Sequence, residues 1–125
     1  MVLDFKNLEI WIEARSLSLS VYSAAQNFPK EELFGLTNQL QRAAVSVAAN
    51  IAESCGRFGV KEKAQLLIIA RGSVFEVRSH ISIAAGLGYL TNVELNSLDS
   101  RYEVLTRRIN AYIAHVKTLK PKSSA

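Results

Sequence analysis

Eight apolar residues near the carboxyl end constrain the chain most: Leu95, Leu98, Tyr102, Leu105, Ile109, Tyr112, Val116 and Leu119. They advance by 3, 4, 3, 4, 3, 4 and 3 residues. This heptad rhythm makes one side of a long helix a seam for packing against other helices. Thr91 and Glu94 supply a Thr-x-x-Glu capping box where the helix opens.

Three further helical segments precede it. The first runs roughly from Asn7 to Asn27, with Leu8, Trp11, Ile12, Leu19 and Tyr22 near one stripe that Arg15 and Ser18 interrupt. Phe28-Pro29 ends it, because the residue before proline is pushed out of the helical region. KEELFGL then leads into a second helix, roughly Gly35 to Gly56, with Glu31 and Glu32 suited to a helix start. After Gly56 and Gly59 a third helix runs from about Val60 to Leu87, and the Gly86-Leu87-Gly88 stretch can adopt a left-handed cap. No strand-like alternation, internal repeat or linker competes with this pattern. A chain of 125 residues with four long helices and short breaks reads as one all-α domain, an antiparallel bundle over residues 1–119. Residues 120–125 read as a flexible polar tail.

The opening MVLDFKNLEIW lacks the charged start and unbroken apolar core of a secretory signal. No apolar run approaches the ~20 residues of a membrane span. The single cysteine, Cys55, rules out a disulfide framework and fits a reducing compartment. A cytoplasmic protein without membrane contact is expected.

The second helix is unusual. In QLQRAAVSVAANIAESCGR, residues 39–57, the polar positions Gln39, Arg42, Ser46, Asn50, Glu53 and Arg57 fall within an arc of about 80° at ~100° per residue. Most of the remaining surface is Ala, Val, Leu and Ile. Such a polar stripe on an apolar cylinder predicts a helix covered on most sides, partly by another subunit. The stripe itself can face water, form an internal network or line a ligand site. Glu62, Gln65, Ser73, Glu76 and His80 form a matching sector on the third helix. Glu76 is the expected partner of Arg42 or Arg57 if the two sectors face each other.

Charge is unevenly placed. The net charge is +4, and beyond Asp99 six basic residues, Arg101, Arg107, Arg108, Lys117, Lys120 and Lys122, stand against one acidic residue, Glu103. An anionic partner, RNA or DNA, would meet these cations. Arg101, Arg108 and His115 recur every seven residues beside the seam. The competing reading pairs these arginines with acids on a neighbouring helix. No aromatic base-stacking platform is visible, since Tyr102 and Tyr112 belong to the seam and Trp11 reads as core.

Catalytic and metal chemistry find little footing. Di-metal bundles use Glu-x-x-His pairs, whereas Glu76 and His80 are four apart with no second pair. Two histidines cannot build a histidine-rich zinc site, and Cys55 has no Cys-x-x-Cys partner. Cys55 reads as a buried, inert thiol. The stretch GRFGVK lacks the Gly-Lys-Ser/Thr ending of a phosphate loop. No enzyme activity, cofactor or metal is expected.

The stretch FPKEELFGLTNQLQRAAVSVAANIAESCGR, with ARGSVFE at 70–76, resembles the four-helix-bundle family associated with intervening sequences of bacterial 23S ribosomal RNA genes. The match extends to DFKNLEIWIEA at the start, Glu32 and Phe34-Gly35-Leu36. On the signature helix it takes in Gln39, Arg42, Ser46, Asn50, Glu53, Gly56 and Arg57, and beyond it Gly72-Ser73 and Glu76. Ser54 departs from the pattern, standing where the family's Asn-Ile-Ala-Glu-Gly run has glycine. The resemblance implies an up-and-down bundle assembling into a homopentameric ring or barrel. A related branch, accessory proteins of diversity-generating retroelements, binds nucleic acid and a reverse transcriptase. The function expected is a non-enzymatic oligomeric module binding nucleic acid through basic surface. The alternative is a protein-interaction scaffold without nucleic-acid binding.

Overall fold

The computed structural model describes residues 4–119. A 3-10 turn at Phe5–Asn7 leads into α1, Glu9–Ala25, and a second such turn, Lys30–Glu32, leads into α2, Leu36–Cys55. Two long helices follow, α3 at Val60–Gly86 and α4 at Asn92–Thr118. Each helix packs on its neighbours in sequence, and α1 closes against α4. The result is the expected up-and-down four-helix bundle. The tail at residues 120–125, expected from the sequence to be flexible, lies outside the described residues.

Local chemistry fixes the turns. Glu94 N–H donates to Thr91 Oγ1 at 3.1 Å and Thr91 N–H donates to Glu94 Oε1 at 2.9 Å, closing the capping box. At the end of α3, Gly88 has φ +82°, Tyr89 N–H donates to Ala84 O and Gly88 N–H to Ala85 O. These are the two bonds of a Schellman ending, and the positive φ favours glycine. Glu31 and Glu32 lie in the 3-10 turn, not the helix, yet Glu32 Oε1 accepts the Leu36 N–H at 3.3 Å. Its other oxygen accepts the Tyr89 hydroxyl at 3.0 Å, tying the α1–α2 connection to the α3–α4 turn. Across the α2–α3 turn, Lys63 Nζ donates to the Ser54 carbonyl at the C-terminus of α2. Ser54 continues the helix, buried, with its hydroxyl donating to Ile51 O.

The core differs from the expected one in two places. On α1 the buried residues are Ile10, Ala14, Leu17, Ser18, Val21 and Ala25. Ile12, Leu19 and Tyr22 face outward and Trp11 is half-buried, its ring edge-on to Phe5. The buried face mixes Ile10, Leu17 and Val21 with the small Ala14, Ser18 and Ala25, which let α2 come close: Ser18 Oγ lies 3.1 Å from the Ala44 carbonyl and 3.0 Å from that of Ala14. On α4 the seam holds through Leu98, Tyr102, Leu105 and Ile109, then passes to Ile113 and Val116, leaving Tyr112 half-buried and Leu119 exposed. A straight helix drifts ~20° per heptad from a 3.5-residue repeat, enough to move the seam from Tyr112 to its neighbour.

Candidate functional site

The candidate functional residues fall into two sets. The first is the polar row of α2. It does meet the matching sector of α3, and the junction is a pair of hydroxyls: Ser46 Oγ and Ser73 Oγ are 2.9 Å apart. Asn50 Nδ2 donates to the Ser46 carbonyl at 2.8 Å and to its hydroxyl at 3.0 Å. These three residues form a compact network, with Ser73 buried and the other two half-buried.

The charged members behave otherwise. Arg57 Nη2 donates to Glu53 Oε1 at 2.7 Å along the exposed edge of α2, and that hydrogen bond raises the pKa of the guanidinium. Glu76 lies 3.5 Å from His80 on its own helix. Neither Arg42 nor Arg57 pairs with Glu76. The cross-helix ion pair expected from the sequence is replaced by contacts four residues apart, which need no second helix. Gln39 and Arg42 are exposed, and their side chains make no hydrogen bond or ion pair among the described residues. His80 is nearly enclosed, its Nε2 buried without a hydrogen-bond partner among the described residues.

The expected cover of α2 is incomplete within one chain. Ala43, Ala44, Val47 and Ile51 are buried, but Val45 and Ala49 are open to solvent. Ile12, Leu19 and Tyr22 of α1 and Val45 are between 43% and 55% exposed.

The second set is the basic residues of α4. Arg101 is not free: its Nη1 and Nη2 donate to Ser20 Oγ and Ser16 Oγ at 3.0 and 3.1 Å, and its Nε is 3.9 Å from Glu13. It bridges α4 to α1, as the edge-position reading required, although serines replace acids as the main partners. Arg107, Arg108 and Lys117 are exposed and make no hydrogen bond or ion pair among the described residues. They share no single face. At ~100° per residue Arg108 points toward α1 with Arg101 and His115, while Arg107 and Lys117 project to two other sides. Lys120 and Lys122 lie outside the described residues.

One groove escaped the sequence reading. It has a volume of about 500 Å³ between the start of α1 and the last third of α4, and Asn7, Glu9, Arg108, Tyr112 and His115 line it. The Tyr112 and His115 rings are 5.9 Å apart, tilted by 37°. Burial pushes the Tyr112 hydroxyl up from its usual pKa. Cys55 is half-buried, and burial likewise raises its thiol pKa. Among the described residues no group of three or more His, Cys, Asp or Glu could hold a metal ion. No helix there is long and apolar enough to cross a membrane.

The family model of the 23S rRNA-intervening sequence protein matches residues 6–111. No curated protein matches the chain. The fold is similar to the crystal structure of a protein of unknown function from the S23 ribosomal protein family of Bacteroides thetaiotaomicron. That likeness has a TM-score of 0.75 and 17% identity, over 83% of this chain and 97% of the other. At that identity it speaks to the fold alone.

Proposed function

The chain belongs to the 23S rRNA-intervening sequence protein family, and within it we propose a non-enzymatic, self-assembling helical module that binds nucleic acid through basic surface. The observation that carries this reading is the state of the cations on α4. Beyond Glu103 that helix has no acidic residue, and Arg107, Arg108 and Lys117 stand exposed without a partner among the described residues. Phosphates neutralise such groups and release their counterions. The accessory-protein resemblance supports the same direction by analogy.

Self-assembly rests on α1 and α2. Ile12, Leu19, Tyr22 and Val45 leave large apolar side chains half in water on two adjacent helices, as a lateral contact with further copies would require. A homopentamer is the assembly the family resemblance implies. Against a cysteine nucleophile, burial raises the Cys55 thiol pKa and so disfavours the reactive thiolate.

A scaffold without nucleic-acid binding is the second reading. It is favoured by Arg101, which the bundle itself occupies, and by the divergent directions of Arg107 and Lys117. Titration of the purified protein with a labelled nucleic acid separates the two. Binding should be readily measured at about 50 mM salt and weaken roughly tenfold by about 200 mM. No binding at the lower salt leaves the scaffold. Light scattering should give a mass several times that of one chain, and a monomer would remove the assembly.

A further inference from the structure

We propose that the groove between the start of α1 and the last third of α4 holds one nucleotide unit of a single-stranded nucleic acid, its phosphate on Arg108 and its base against His115. This deepens the nucleic-acid reading above and rests on it.

Of the free cations of α4, Arg108 lines this groove together with the exposed His115 ring, and Arg107 and Lys117 do not. Its guanidinium offers a planar fork of donors that matches two phosphate oxygens. Seven residues on, two turns along the same side, His115 is exposed and leans toward Tyr112, with ring centroids 5.9 Å apart. The half-buried tyrosine ring lies beside that imidazole. Phosphate contact and base stacking are thus offered side by side, and the groove is of the size that small ligands occupy.

The opposite wall narrows the ligand further. Glu9 is a carboxylate, able only to accept hydrogen bonds, and Asn7 carries an amide that both donates and accepts. A second phosphate beside Glu9 would be repelled. A base edge carrying N–H donors would be received. The wall therefore disfavours a phosphate backbone lying lengthwise in the groove and suits one phosphate followed by a turned-out base. Duplexes keep their bases stacked and paired, so a single strand fits and a double helix does not.

Fluorescence anisotropy on the full chain tests this with a short labelled RNA strand, the matching DNA strand and the duplex. The single strands should bind more tightly than the duplex. His115→Ala and Arg108→Ala should each weaken single-strand binding about tenfold. His115→Phe, which keeps a ring, should bind close to wild type, and Arg107→Ala should have the smaller effect. Both groove residues are exposed, so unchanged thermal melts are expected for every variant. Equal duplex affinity, an unaffected His115→Ala, or a His115→Phe as weak as His115→Ala would overturn the groove while leaving the basic-surface reading in place. A wild-type protein that binds none of the three at about 50 mM salt would overturn both.

Discussion

The bundle closes by two different devices, one on the α2–α3 side and another on the α1–α4 side. Between α2 and α3 two of the shortest polar side chains, Ser46 and Ser73, touch at 2.9 Å, with Ala43 and Ala70 buried nearby in the core. Backbones must run close for serines to meet. Between α1 and α4 the packing is thinner, and Arg101 spans the gap to Ser16 and Ser20. A close seam can be held by short groups that exclude water. A wider one needs long side chains and leaves grooves, which is where the candidate ligand site lies.

Enlarging a side chain is the sharpest way to break this contrast. Ala70→Leu on α3 adds bulk at a fully buried position, and should cost about 1–3 kcal/mol of stability. The same change at Ala24 on α1 enters the groove beside Arg101 and Ser97, where room exists, and should cost well under that. Urea denaturation of both variants measures the difference. Equal losses would mean that the two sides are packed alike.

Removing the long side chain comes next in size. Arg101→Ala takes away two charge-assisted hydrogen bonds, but the side chain is 36% exposed and its serine partners can turn to water. The expected loss is about 1 kcal/mol in a urea melt. Single-strand binding should fall less than in Arg108→Ala, because Arg101 is already engaged. A larger fall in binding than in stability would make Arg101 a ligand contact and erase the distinction drawn between the two arginines.

These contrasts show what the sequence carried and what it did not. Helix ends were legible because caps are local: Thr91 with Glu94, and the glycine at 88, announce themselves within a few residues. The rows containing Ser46 and Ser73 were legible too, since a polar stripe on an apolar helix stands out. Which side of α1 lies inside was not. Ile12, Leu19 and Tyr22 compete with a second apolar stripe, Ile10, Ala14, Leu17, Val21 and Ala25, and the packing of α2 and α4 decides that the second one is buried. Arg101 and Ser16 are 85 residues apart, and no local rule pairs them. The groove is harder still, because Asn7 and Glu9 meet Arg108 only when the first helix closes on the last.

Tyr102 gives the smallest effect and the finest test of the comparison. The α2–α3 seam pairs its hydroxyls with each other, whereas α4 carries a fully buried Tyr102 hydroxyl without a hydrogen-bond partner among the described residues. Burial pushes its pKa well above the usual tyrosine value. The unfolded chain therefore releases this proton first, near pH ~10, and there binds fewer protons than the folded chain. Stability from this residue is intact below that pH and falls as pH climbs beyond it. Tyr102→Phe keeps the ring and removes both the orphan and its titration. At about pH 8 the variant should match wild type or exceed it by up to about 1 kcal/mol. Above pH ~10 the advantage should grow until the pH reaches the raised folded-state value of Tyr102; Tyr89 and Tyr112, also raised, remain in both proteins and cancel from the difference. Urea midpoints at the two pH values measure this. A variant weaker than wild type at about pH 8 would show that the hydroxyl is satisfied after all, and that the α4 side is as well paired as the α2–α3 seam.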